Sequence, residues 1–264
     1  MDGDVAPLQQ ILETAQTFGA VVIVDEAHGL GVFGQTNARD LWSVDNSTDD
    51  TNFLHESGGG TGVLAALHLE HHPALLCSVH TFGKAAGCHG AVICGSRTLV
   101  NYLLNFAKPL VYSTALPLHS LVCIGCAYDT ITGSLGDEKR ARVFRLVRLF
   151  RRLFQNSSVP PQPPPGEIQQ HNAASNRLRS LLLPSPSPIQ SVLIPGNQAC
   201  ITIATQLRNN YGFDVYPIRS PTVPKGLERI RIILQSIRNR KKSRDYPPKG
   251  CLSARLLNFT SYMV

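Results

Sequence analysis

The sequence predicts an α/β protein, and three observations carry that prediction. Residues 7–18 place apolar side chains at helical spacing, and the unbroken apolar run at 20–24 that follows reads as a strand buried in a parallel sheet. That run ends in Asp25-Glu26-Ala27-His28, so polar chemistry falls at a strand's carboxyl end, where α/β sheets hold ligands. Beyond two proline-rich breaks, short apolar runs and a helix alternate again, which predicts a second, smaller α/β unit.

In chain order, Pro7 suits the first turn of the opening helix and Gly19 ends it. Residues 36–62 are polar, close on a glycine cluster and read as a loop or insertion. Leu75 to Val79 and residues 91–95 are short strands flanking "HTFGKAAGCHG". A helix is expected at 97–107, then a loop at "YSTALP", then mainly helix from Leu118 to Phe154 with a break around Gly133 and Gly136. "PPQPPPG" at 160–166 is a stiff segment and "PSPSP" at 184–188 a further breaker. Strands at 191–194, 213–218 and 229–234 surround a helix at 198–210. The last residues are basic, contain proline, lack periodicity and read as a disordered tail.

Composition narrows the class. An apolar fraction of 43% allows a sizeable core, and no run reaches the length of a membrane span. No signal peptide or peroxisomal terminus is visible, so a cytoplasmic location is expected. The net charge of +7 is concentrated in six arginines from Arg140 to Arg152 and five basic residues from Arg238 to Arg244. Without regularly interleaved aromatic residues, that charge reads as a solvated helix face plus a tail, and no nucleic-acid partner is expected. The seven cysteines are odd in number and mostly sit in apolar runs, which suggests buried thiols in a reducing compartment. Cys123 and Cys126 form a Cys-x-x-Cys pair with no second pair to match, so no metal site is expected.

The letters Asp-Glu-Ala-His also occur in helicases, where they serve a nucleotide held by a glycine-rich loop ending in Lys-Ser or Lys-Thr. No lysine here fits that loop: Gly83-Lys84 is followed by Ala85, and Lys242-Ser243 is preceded by Lys241. A buried aspartate at a strand end can instead keep a pyridine nitrogen protonated, which makes the ring an electron sink. His28 can then donate to the ring's phenolic oxygen, and Gly29, Gly31 and Gly34 let backbone pass close to a flat ring. The plainer alternative is a strand closed by a capping acid, with His28 merely packed. Lys84 stands among glycines and alanines after a strand, an unusual place for a surface lysine and a suitable one for a Schiff-base amine. Thr81, three residues earlier, is placed to hydrogen-bond a phosphate.

"MDGDVAPL", "VVIVDEAHGLGVFG", "HTFGKAAGCHGAVI", "YSTALP" and "SPTVPKGLERIRI" occur in this order, and together they resemble the α-oxoamine synthases over residues 1 to about 235. The 8-amino-7-oxononanoate synthase branch of biotin synthesis is the nearest in pattern. The resemblance implies the pyridoxal-phosphate-dependent transferase fold of aspartate-aminotransferase type (fold type I). A partial large domain would be joined to a small C-terminal α/β domain. It also implies condensation of an amino acid with an acyl-CoA, with decarboxylation, on pyridoxal 5'-phosphate. By position, Asp25 matches the aspartate on the pyridine nitrogen, His28 the histidine near the ring oxygen, Lys84 the Schiff-base lysine and Thr81 the phosphate-binding threonine. Ser113 and Thr114 match a hydroxyl pair that reaches the neighbouring subunit's phosphate, which implies a homodimer with shared active sites. Thr222 matches a substrate-contacting threonine and Arg231 the arginine that binds the substrate carboxylate. Arg229 is expected on the opposite face of that strand, outside the role.

The domain organisation expected is residues 1–125 for the carboxyl part of the large domain, with 36–68 as an insertion, and 126–159 as connecting helix. A proline-rich linker at 160–190, a small domain at 191–236 and a divergent tail at 237–264 complete it. The family pattern is entered part-way, so the first half of the large domain is expected to be missing. Two alternatives stay open: another acyl-CoA partner, as in serine palmitoyltransferase or 5-aminolevulinate synthase, and a fragment that only dimerises.

Overall fold

A computed structural model describes residues 1–34, 59–156 and 181–236. Most of the expected insertion, the segment 160–166 and the tail 237–264 lie outside these residues. The described residues divide into two compact units, one built from residues 5–34 and 59–141 and the other from residues 1–4, 142–156 and 181–236.

The larger unit begins with α1 (Leu8–Thr17), whose Leu8 and Leu12 lie one turn apart on the buried face. Gly19 at φ +63° turns the chain into β1 (Val22–Asp25). After the glycine-rich segment come the short α2 (Val63–Ala66), then β2 (Leu75–Thr81) and β3 (Ala91–Gly95). The sheet runs β1-β2-β3, with β1 parallel to β2 and β3 antiparallel to it. Asp25 pairs in register with Val79, so the carboxyl ends of β1 and β2 lie side by side. Leu8, Leu12, Val24, Leu64 and Ala74 form one core cluster, and Leu30, Phe82 and Ile131 a second.

Four helices follow: α3 (Arg97–Phe106), α4 (Lys108–Val111), α5 (Leu118–Thr132) and α6 (Ser134–Gln155). Ser96 caps α3 by accepting a hydrogen bond from the Leu99 amide. The expected break near Gly133 separates α5 from α6. No residue of α3 is buried, and Tyr102, Phe106, Tyr112 and Leu118 all face outward.

In the smaller unit β4 (Ile189–Leu193), α7 (Asn197–Tyr211), β5 (Tyr216–Ile218) and β6 (Arg229–Ile233) follow one another. The sheet order is β4-β6-β5, antiparallel throughout. Its core joins Phe150 and Phe154 of α6 to Val192, Cys200, Leu207, Ile230 and Ile232. Gly212, in the left-handed region at φ +69°, closes α7.

Three expectations need correction. The run at 20–24 is not buried throughout, since Val21 and Ile23 are more than half exposed and only Val24 is buried. The cysteines are not uniformly buried: Cys77 and Cys200 are, whereas Cys94, Cys123 and Cys126 are exposed. Burial pushes the Cys77 and Cys200 thiols above their ordinary range, as expected for unreactive core cysteines. Arg229 and Arg231 do not occupy opposite faces, because residues two apart on a strand share a face. Ion pairing separates them instead, since Arg229 is bound to Asp2.

Candidate active site

The candidate site of the larger unit lies at the adjoining carboxyl ends of β1 and β2. Asp25, read from the sequence as a buried acid, is instead exposed as the last residue of β1, and it accepts a hydrogen bond from the Ala27 amide at 2.8 Å. The chain then turns tightly: the Gly29 and Leu30 amides both donate to the Glu26 carbonyl, at 2.9 and 3.0 Å. His28 is exposed on this turn.

Glu26, which sequence reasoning left without a role, holds the turn in place. Its side chain is buried and accepts from the amides of Val63, at 3.0 Å, and Leu64, at 2.7 Å. The carboxylate thereby satisfies the free amides that open α2. A Cβ on Gly29 would stand 1.8 Å from a Glu26 carboxylate oxygen, and one on Gly62 would meet the same group at 2.8 Å. The glycine after His28 is therefore required by a buried carboxylate. No local signal revealed this, because the partner amides lie 37 and 38 residues away.

Gly31 joins the two motifs. At φ +79° its backbone donates to Gly60 O at 2.7 Å, and a Cβ there would come within 2.7 Å of the Ala85 methyl. "DEAHGLG" thus packs directly on the residue after Lys84. Lys84 itself is exposed on the turn following β2, its carbonyl accepting from the Gly87 amide at 3.0 Å. Phe82 anchors this turn from beneath, buried, with its ring 5.9 Å from that of Tyr128. Phe82 also donates its amide to Gly90 O and accepts from Cys88 N.

Thr81 ends β2, and its Oγ1 is buried without a hydrogen-bond partner. A hydroxyl in that condition is costly unless a ligand satisfies it. The neighbouring His80 places Nε2 3.0 Å from Ser78 Oγ and leaves Nδ1 unpartnered. Ser113 and Thr114 lie on a separate exposed segment between α4 and α5, where Ser113 Oγ donates to Leu110 O at 3.4 Å.

The two remaining candidates belong to the smaller unit. Thr222 is exposed in the turn between β5 and β6. Arg231 is half-buried on β6, and its Nε is buried without a partner. Two of the four unpartnered buried side-chain atoms among the described residues therefore belong to Thr81 and Arg231. Near the amino end of β6, Glu228 accepts from the amides of Gly196 and Gly226, both at 2.9 Å. The Gly196 bond is the chief cause of a carboxyl held below its ordinary range. Its stabilising effect is present above the usual carboxylate range and is lost as pH falls through the lowered value. Among the described residues no group of three metal-ligating side chains forms, and no helix is long and apolar enough to cross a membrane.

The family model described as aminotransferase class I and II matches residues 1–241. The 8-amino-7-oxononanoate synthase of Ralstonia pickettii (strain 12J) is 33% identical over 236 residues, covering 89% of this chain and 46% of that protein. The chain thus spans about half the length of the curated relatives it matches. Among solved structures, SPT (serine palmitoyltransferase) with its PLP internal aldimine superposes at a TM-score of 0.69 and 18% identity, over 99% of this chain and 52% of that one. The 8-amino-7-oxononanoate synthase of Francisella tularensis gives 0.61 and 21%, over 96% and 57%. The fold is that of the pyridoxal-phosphate-dependent transferases, and the chain belongs to the aminotransferase class I and II family.

Proposed function

We propose that this chain carries part of a pyridoxal-phosphate-dependent acyltransferase that condenses an amino acid with an acyl-CoA and releases carbon dioxide. An 8-amino-7-oxononanoate synthase type of reaction, in biotin formation, is the reading favoured. The observation that carries it is the close packing of Gly31 on Ala85, which brings the Asp25 and Lys84 turns together beside the unsatisfied Thr81 hydroxyl.

Pyridoxal phosphate, when bound, supplies an electron sink that stabilises a carbanion at the substrate's Cα. The residues present fit it: an acid at the end of β1, an orphaned hydroxyl at the end of β2 and an exposed amine on the turn that follows β2. Asp25 would hold a proton at the ring nitrogen and His28 would donate to the ring oxygen. Thr81 Oγ1 would donate to the phosphate. The Lys84 amine would hold the cofactor, then accept the α-proton once the substrate amine has displaced it. Arg231 would fix the substrate carboxylate with its fork of donors, and Thr222 would contact the substrate. The outward-facing aromatic residues of α3 and the exposed Ser113 and Thr114 support a homodimer in which that hydroxyl pair serves the partner's phosphate.

Activity is tested by supplying cofactor, amino acid and acyl-CoA, then measuring free coenzyme A thiol and carbon dioxide together. Equal release of both, lost in Lys84→Ala, is expected. Thiol release without carbon dioxide, or release surviving in Lys84→Ala, contradicts the reading. Thr81→Val gives an independent check. Since the hydroxyl has no partner, the cofactor-free chain should be as stable as the parent, or more stable by up to about 1–2 kcal/mol. Cofactor affinity should nevertheless fall about tenfold or more, the worth of one charge-assisted hydrogen bond. Melting curves with and without pyridoxal phosphate read both effects, and unchanged affinity removes Thr81 from the phosphate site.

A further inference from the structure

The face of the small sheet that carries Arg231 holds a second guanidinium and one carboxylate. Arg231 lies opposite Ser191 on β4 and Tyr216 on β5, while Arg229 lies opposite Leu193 and Ile218. Directly opposed residues of an antiparallel pair share a face, and so do residues two apart. Asp2 sits on this face. One of its oxygens pairs with Arg229 Nη1, and the other accepts from Ser191 Oγ at 3.3 Å. Arg229 is buried beneath that pair, its side chain 8% exposed. Arg231, by contrast, has no ion pair or hydrogen bond of its side chain among the described residues, and its Nε is buried.

Asp2 is held there by more than its charge. Gly3, at φ +85°, accepts at its carbonyl from Ser185 Oγ at 2.9 Å. A Cβ on Gly3 would lie 2.3 Å from Ile189 O and 2.4 Å from the hydroxyls of Ser185 and Ser187. Residues 1–4 therefore thread into the small unit as a fixed strap, and the strap delivers a carboxylate beside the candidate substrate arginine.

We propose that Asp2 is a specificity-determining residue: by occupying Arg229 it leaves Arg231 as the one uncommitted cation on this face among the described residues. The site then accepts a substrate with a single carboxylate and rejects one with a second. This rests on the assignment of Arg231 to substrate carboxylate. Neighbouring positions on one strand face lie about 6.5–7 Å apart at Cα, a span that flexible guanidinium groups and a four-carbon diacid can bridge. Without Asp2, Arg229 would offer the second carboxylate a charged, bidentate partner.

The test titrates the full chain with acetate and with succinate, following the arginine Nε–H resonances, which requires no cofactor. In the parent chain both anions should shift Arg231 alone, with similar affinity. In Asp2→Ala, succinate should bind about tenfold more tightly and shift Arg229 as well. Because that variant leaves a buried guanidinium unpaired, the isosteric Asp2→Asn is run beside it with the same expectation. Adding Arg229→Leu to Asp2→Ala should return succinate to parental affinity. Unchanged succinate affinity in the folded variants overturns the proposal, as does failure of both to fold, which would make Asp2 a structural latch only. If the parent Arg231 resonance responds to neither anion, the assignment of Arg231 itself fails, a separate result. In the cofactor-loaded chain, L-aspartate should gain on L-alanine by a similar factor.

Discussion

Gly29→Ala should destabilise the site-bearing unit by about 3–5 kcal/mol, far more than a glycine-to-alanine change in a loop ordinarily costs. The added methyl would stand 1.8 Å from the Glu26 carboxylate, so the carboxylate has to leave the Val63 and Leu64 amides. Each of those charge-assisted bonds contributes about 1.5–3 kcal/mol, and the carboxylate would then be buried without partners. Denaturant midpoints of Gly29→Ala, Glu26→Ala and the double variant check the cause. The two changes act on one contact, so the double variant should cost little more than Glu26→Ala alone. Additive losses would show that the contact between Gly29 and Glu26 is not the source.

Phe154→Ala is expected to cost about 3–5 kcal/mol, the range for truncating a buried aromatic residue. Phe154 is 1% exposed and stacks at 5.8 Å on Phe150, one turn earlier on α6. The same core receives Ile230 and Ile232, the residues that alternate with Arg229 and Arg231 along β6. Loosening it therefore loosens the strand that presents Arg231. A fall in the denaturation midpoint should be accompanied by weaker carboxylate binding. A loss below about 1 kcal/mol would contradict the packing described here.

The sequence announced the elements whose signals are local. Strand β3 falls at residues 91–95 as read, and the helix expected at 198–210 is α7 within a residue at each end. Asp25 and Lys84 were visible because a strand end followed by glycines is a local pattern. What could not be read depends on distant partners. The short α2 fell just past the expected loop because its first amides are satisfied by Glu26, far back in the chain. The ion pair between Asp2 and Arg229 joins residues 227 apart, and nothing near either one signals it. The strand expected at 213–218 shortens to Tyr216–Ile218, where pairing to Arg229, Ile230 and Arg231 begins and ends. Exposure of Val21 and Ile23 likewise reflects which surfaces the sheet covers, which an apolar run alone does not specify.

The central claim is that the turn after β2 presents Lys84 to pyridoxal phosphate, beside Asp25. It is tested most directly by mixing the chain with pyridoxal phosphate, reducing with borohydride and locating the pyridoxyl group by mass spectrometry of the peptides. A visible absorption band before reduction and a single adduct on Lys84 are expected, with both lost in Lys84→Ala. An adduct spread over several lysines, or a band that persists in Lys84→Ala, would contradict the account.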